Sequence, residues 1–568
     1  MVVLALVYLV GCPRILLYRE MLGVENTVAS SRTFVRGAFI LTLAAIISKL
    51  LGSVYTIILQ NLIGDSGMGI YQMAYPVYAT LLVISTAGFP VAISKYVSEY
   101  TAIRDVGSAN RIFRVAFFLL AGTGLMAMVS LYAFSDAFAR LAGDMRATWA
   151  LKAVAPALFV VPMLSSIRGY FQGWQWMKPT AVSQVVEQLV RVLTIIAGVW
   201  VVLSFGGKVR AAAAVASFGA VTGGLSGLIV IILQLLKFRK TMHQPRERRH
   251  SDVFHLRVST GTIVRKLIYY SIPVSLGALI IPLFSNVDAL TVTNLLKAQG
   301  ITQNSATHLY GLLSGRAFKL LMLPATLVSS IGVALLPAVS EANTRSGAST
   351  VKERVGLGMR YTAYLALPAA VGLILLARPI DIALFRDAQG EQAIMWMGVA
   401  TLFSSIQLNA AASLQGLGLV YTPLVSLLAG TALKIALNFI LVPRYQITGA
   451  AIATALSYAL AAGWNWWVLK RKIQLRLSYF QHVFKPLMAV FVMGAFVFGI
   501  QRQWNFWHLQ LPARVDAAGL VLTSILAGIL TYVAMLILGG LLSETEVQAL
   551  PKFGKPLTTL LRKMRFYS

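Results

Sequence analysis

Residues 72 to 97 read QMAYPVYATLLVISTAGFPVAISKYV, and this stretch decides the fold class. Lys95 is its one charged side chain, and the run exceeds the roughly 20 apolar residues that cross a hydrocarbon layer about 30 Å thick. Lipid offers the peptide groups no hydrogen-bond partners, so such a run must close its own bonds as an α-helix. The same pattern fills the chain. Of 568 residues, 58% are hydrophobic and 12% charged, and the mean hydropathy is +0.75, which leaves no room for a large soluble domain.

Working outward, apolar windows fall near 37–60, 72–97, 114–138, 149–168, 180–203 and 211–236. After a basic break they resume near 267–293, 310–338, 356–377, 392–415, 421–442 and 447–469, followed by 483–501 and 517–541. These windows predict an all-α polytopic membrane protein of about 14 spans; the period-two alternation of a membrane barrel is absent. The first eleven residues are apolar but too short to cross. LVGC at 9–12 resembles a lipoprotein cleavage box, but an interfacial stretch or a true start at Met21 is the better reading.

The 49 Lys and Arg against 19 Asp and Glu give a formal charge of +30. Scattered between apolar runs, these cations report topology and contact with anionic lipid, not nucleic acid. Summed on alternate sides of the spans they number 31 against 10, which predicts a cytoplasmic-membrane protein with both termini inside. The single cysteine, Cys12, and six histidines exclude a disulfide framework and argue against a metal cluster.

Short strings repeat across the basic break: IYQ at 70–72 against LYG at 309–311, SEY at 98–100 against SEA at 340–342, FQG at 171–173 against LQG at 414–416. The offsets are 239, 242 and 243. A duplicated six-helix unit follows, and because six is even the copies are parallel, enclosing a central cavity suited to alternating access. The expected divisions are an N-terminal extension (1–33), an N-lobe (34–236), a basic linker (237–266) carrying Arg246, Arg248 and Arg249, a C-lobe (267–469), two further spans (470–541) and a basic tail (542–568).

Ionisable groups inside spans cost roughly 2.5 to 3.5 kcal/mol at mid-bilayer and so mark pairs, snorkelling ends or wet cavities. Lys95 with Glu99 and Glu187 with Arg191 are spaced i,i+4 and can neutralise each other; Lys152 and Arg360 lie near span ends and can snorkel. Lys49 has no acid within a turn. Arg316 and Lys319 share a face with no carboxylate within a turn, and Asp288 is the only acid on the preceding span. Lys434 less the offset of 243 lands on Arg191, a pseudo-symmetric pair of cations. Cations in excess of Glu187 and Asp288 point to a ligand that brings negative charge, for which a diphosphate suits Arg forks and Lys point charges; a solvated vestibule without specific binding is the rival. Gly88 and Pro90, Pro273, Pro282 and Pro324 mark kinks or hinges.

GIYQMAYPVYATLLVISTAGFPVAISKYVSEY at 69–100, GYFQGWQWMKPTAVSQVVEQLVRV at 169–192, LPAVSEA at 336–342, LQGLGLVYTPL at 414–424 and GAAIATALSY at 449–458 closely resemble the stage V sporulation protein B and polysaccharide-biosynthesis branch of the MOP exporter superfamily, to which MurJ-type lipid II flippases also belong. The resemblance implies two six-helix lobes plus two helices. It implies a transporter, not an enzyme, that moves a polyprenyl-diphosphate-linked saccharide to the outer leaflet and serves the cell wall or sporulation. SKLLGSVY at 48–55 keeps the first cation of the family's SRxxGxxR pattern as Lys49 and has Tyr55 in place of the second. On this reading Lys49, Arg316 and Lys319 bind the diphosphate, Arg191 and Lys434 complete the field, and Asp288 orients Arg316. Glu187, Lys95 and Glu99 support the set. A monomer without cofactor or metal is expected, and whether an ion or the membrane potential drives it stays open. The alternatives are a cation-coupled multidrug exporter of the same superfamily, a membrane glycosyltransferase or acyltransferase, and an envelope or sporulation scaffold; Asp65, Asp136 and Asp144 look isolated, which speaks against an enzyme.

Overall fold

The computed structural model describes residues 27–86, 88–103, 105–242, 259–474, 484–507 and 511–541. The readings attached to Cys12 and Met21, to Arg246, Arg248 and Arg249, and to the tail 542–568 lie outside the described residues. Among the described residues all regular structure is helical.

The first element, α1 (Thr27–Thr86), contains 60 residues. A straight helix of that length would extend about 90 Å, three times the hydrocarbon thickness. It is instead two helices joined at Gly64, whose φ of 69° and ψ of 176° leave the helical region. After it come α2 (Phe89–Ala102), α3 (Val106–Ala133), the short α4 (Ser135–Leu141) and α5 (Ala147–Val154), α6 (Ala157–Gly173), α7 (Met177–Ser204) and α8 (Val209–Met242). The next group is α9 (Thr260–Ala278), α10 (Ile280–Ala298), α11 (Gln303–Gly311), a π-helical turn at Leu312–Ala317, α12 (Phe318–Glu341), a second π turn at Ala342–Ser346, α13 (Ala348–Leu375), α14 (Ala377–Phe385) and α15 (Glu391–Gly416). The described residues close with α16 (Tyr421–Ile473), α17 (Lys485–Trp507) and α18 (Ala513–Leu538). The 53-residue α16 is also two helices, joined at Gln446 (φ 49°, ψ −132°). A Cβ on Gly449 would fall onto the Leu441 carbonyl, so the close approach at this joint requires a residue without a side chain.

Among the described residues eleven helical stretches are long and apolar enough to cross a membrane. Dividing α1 at Gly64 and α16 at Gln446, and adding the broken pair α9 and α10, accounts for the expected number of about 14. The prolines act unequally. The chain breaks between α1 and α2 just before Pro90 at the start of α2, and between α9 and α10 at Leu279, three residues before Pro282. A proline ring displaces the carbonyl four residues earlier, which accounts for both positions. Pro324 lies inside the continuous α12, and Pro273 within α9.

The described residues form two compact units, one drawn from the ranges Met1–Asn294 and Thr302–His308 and the other from Leu295–Ile301 and Leu309–Ser568. In the first, Phe89, Ile93, Phe113, Leu164, Phe171 and Phe238 form a core shared by α2, α3, α6 and α8. In the second, Leu335, Val339, Val355, Leu414 and Leu469 join α12, α13, α15 and α16, while Tyr364, Met493 and Tyr532 fix α17 and α18 against α13. The repeat places residues 267–294 in the second lobe, but packing groups them with the first unit. The Gly88 N–H donates to Ser275 Oγ at 3.0 Å, a Cβ on Gly88 would strike the Ser271 carbonyl, and Asn286 Nδ2 donates to Thr80 Oγ1 at 2.6 Å. Sequence similarity tracks which helices correspond, whereas packing tracks which are neighbours.

Candidate functional site: a charged cluster in each unit

In the first unit, α7 carries Glu187 and Arg191 one helical turn apart, so both project from one face. Arg191 Nη2 donates to Glu187 Oε1 at 2.7 Å. From α6, Arg168 Nη2 donates to the other oxygen, Oε2, at 2.9 Å, and Arg168 Nε and Nη2 also donate to Ser183 Oγ at 2.9 and 2.7 Å. The side chains of all three charged residues are four-fifths buried or more. Two guanidiniums thus share one carboxylate, leaving a net positive charge within spanning segments. Arg191 Nε is buried with no hydrogen-bond partner among the described residues.

Two glycines let α8 lie against this edge. A Cβ on Gly223 would come within 2.8 Å of both Arg191 Cβ and the Glu187 carbonyl, and one on Gly227 within 3.1 Å of Glu187 Cβ. Beside Arg191 a cavity of about 20 Å³ is lined by Tyr55, Tyr71, Tyr75 and Ser217, room for about one water. Tyr55 and Tyr71 bring their hydroxyls within 3.2 Å of each other. Tyr55, the residue that departs from the cation pattern, therefore lines the same cavity as Arg191.

In the second unit, Arg316 lies in the π turn and is 2% exposed. Such turns insert a residue into the helical register and cluster at functional sites. Arg316 Nη1 donates to Asp381 Oδ1 at 3.0 Å and Asp387 Oδ1 at 2.7 Å, and Nη2 to Asp387 Oδ2 at 3.0 Å. Its guanidinium lies 5.0 Å from the Phe385 ring centroid. The Gly390 N–H donates to Asp381 Oδ2 at 2.7 Å. Both acids lie between the spanning stretches 348–375 and 391–416. Burial pushes the Asp381 carboxyl up to about 6, against the lowering pull of Arg316 and the Gly390 N–H, with the Asp387 charge adding to the rise.

The sequence offers Arg316 Asp288 on the preceding span as its orienting acid; in the structure two carboxylates from a connecting segment 65 and 71 residues away bind it. Lys319 is half-buried one turn beyond Arg316 on α12, and Lys434 is fully buried on α16. Asp288 is buried on α10 in the first unit. Lys49 lies within α1, and its side chain is outside the described residues. Lys95 and Glu99 face each other at 4.0 Å, both substantially exposed, with the Lys95 ammonium 4.3 Å from the Tyr270 ring centroid.

The acids that looked isolated have partners. Asp65 accepts from Gln60 at 2.6 Å, and Asp136 faces Lys152 at 3.7 Å, so Lys152 is paired as well as near a span end. Asp144 is bound by Arg146 at 2.6 Å and by the Thr307 hydroxyl at 2.7 Å. Burial raises the Asp144 carboxyl, but hydrogen bonds from the Arg146 side chain and backbone and from Thr307 outweigh it and hold it below its ordinary value. Arg168 was missed as a site residue because it counts with the inner turn in the tally of charges; its spacing of 19 from Glu187 carries no helical signal. No group of three potential metal ligands occurs among the described residues.

Residues 34–343 match the model of the family described as "Polysaccharide biosynthesis protein". The chain is 31% identical over 531 residues to the uncharacterized membrane protein YabM of Bacillus subtilis, covering 93% of this chain and 96% of that one. It is 30% identical over 503 residues to the lipid II flippase MurJ of the same organism, covering 82% and 90%, and 27% identical over 530 residues to its stage V sporulation protein B, covering 93% and 99%. The fold matches an inward-facing multidrug resistance MATE family transporter of the MOP superfamily with a TM-score of 0.63 at 15% identity, over 77% of this chain and 98% of that one. A solved lipid II flippase MurJ in an inward closed conformation matches with a TM-score of 0.59 at 14% identity, over 88% and 98%. With its helical spans, the matched segment and full-length relatives together, the chain is a multi-pass membrane protein that belongs to the polysaccharide biosynthesis protein family.

Proposed function

We propose that this protein is a flippase that moves a polyprenyl-diphosphate-linked saccharide, lipid II or a related cell-wall precursor, across the cytoplasmic membrane by alternating access with both termini inside. The observation that carries the reading is the surplus positive charge of the Arg168, Glu187 and Arg191 cluster within spanning helices, with Arg191 Nε uncommitted beside a cavity. A buried cation surplus favours an anionic guest, and a guanidinium fork suits phosphate oxygens. Lys49, Lys319, Lys434 and Arg316 are the further proposed diphosphate contacts; for Arg316 a phosphate would compete with Asp387. An interior-negative potential bears on such cations at about 2.3 kcal/mol per charge per 100 mV.

A cation-coupled exporter is the second reading. It draws on the second unit's cluster, where Asp381 and Asp387 outnumber Arg316. Conditional depletion separates the two: a flippase leaves a diphosphate-linked saccharide trapped on the cytoplasmic leaflet, and Arg191→Gln fails to relieve the block. Depletion without accumulation of any lipid-linked intermediate would refute the proposal.

A further inference from the structure

We infer that Arg168 is a positioning residue that occupies the charge of Glu187 so that Arg191 keeps its own for an anionic ligand. The inference rests on the reading that Arg191 meets a phosphate. Glu187 has two carboxylate oxygens, and each is taken by a different guanidinium: Oε2 by Arg168 at 2.9 Å and Oε1 by Arg191 at 2.7 Å. Arg168 is also tied by two hydrogen bonds to Ser183 on α7. It is anchored to the carboxylate and to the helix that carries it. Arg191 makes one bond to the carboxylate through Nη2, and its Nε is left without a partner among the described residues.

Charge counting gives the consequence. With Arg168 present, the cluster holds two positive charges and one negative. Without it, Glu187 and Arg191 form a neutral i,i+4 pair, and an approaching phosphate meets a carboxylate balanced only by the cation it needs. Arginine fits this role because its fork can bond Ser183 and Glu187 together, which a single ammonium does less well. Gly223 and Gly227 let α8 approach Arg191 and Glu187 closely, since a Cβ at either would crowd them.

The test is a charge-restoring double substitution in the full-length protein in nanodiscs. Titration with a polyprenyl diphosphate measures binding, and thermal unfolding checks that each variant is folded. Arg191→Gln and Arg168→Gln should each weaken binding by at least about tenfold. Adding Glu187→Gln to Arg168→Gln restores the net charge and should recover most of the affinity, with Arg168→Lys between the extremes. A folded double variant that binds as weakly as Arg168→Gln would overturn the positioning role while leaving Arg191 in the site. Wild-type affinity in Arg191→Gln would overturn both this inference and the site it depends on.

Discussion

Asp381 is fully buried and shares one guanidinium with Asp387, so its carboxyl rises from the ordinary 3.8 to about 6. Between those values the folded state holds a proton that the unfolded chain has already lost, so stability falls as pH climbs from about 4 to about 6. The cost is absent below this window and complete above it, about 3 kcal/mol at the usual 1.36 kcal/mol per unit. Asp381→Asn should therefore flatten the dependence of the melting temperature on pH between 4 and 6 in the detergent-solubilised protein. Arg316→Gln should be worse at neutral pH, by about 3–5 kcal/mol, because it strands a buried carboxylate. A slope that survives in Asp381→Asn would assign the titration to another group.

Helices set the second scale, and here contacts between backbones matter most. Where α2 begins, Gly88 lies against Ser271 so closely that any Cβ would collide with a carbonyl, which has no rotamer to yield. Gly122 on α3 has nothing within 4 Å of the same position. Gly88→Ala should therefore destabilise by about 1–3 kcal/mol, the range of overpacking, whereas Gly122→Ala should be neutral or stabilise by up to about 1 kcal/mol through helix propensity. Thermal unfolding of the two variants side by side decides it, and equal melting temperatures would contradict the tight contact. The composition of these helices foretold their existence. It did not foretell that residues 267–294 would pack with the first unit, because an apolar helix surface is compatible with many partners and only small-residue contacts such as Gly88 on Ser271 select among them.

Topology belongs to the whole molecule. The proposed orientation, with both termini inside, rests on the asymmetry of 31 cations against 10 and would fix the side of every connection at once. In a Cys12→Ser background, cysteines introduced at the exposed positions Gln299 and Gln389 should react with an impermeant maleimide in intact cells. One at exposed Ser349 should react only after permeabilisation. The reverse pattern would invert the orientation and with it the direction of the proposed transport.

The sequence by itself determined the membrane class, the number of spans and the ion pair of Glu187 with Arg191, since each follows from composition or from the fixed 3.6-residue turn of a helix. Only the tertiary structure decided that Arg168 shares Glu187 across 19 residues and that Arg316 is held by Asp381 and Asp387 across 65 and 71. Those pairings depend on how helices and connecting segments are brought side by side. No local periodicity records that arrangement, so a charge that looks solitary along the chain can be matched in space.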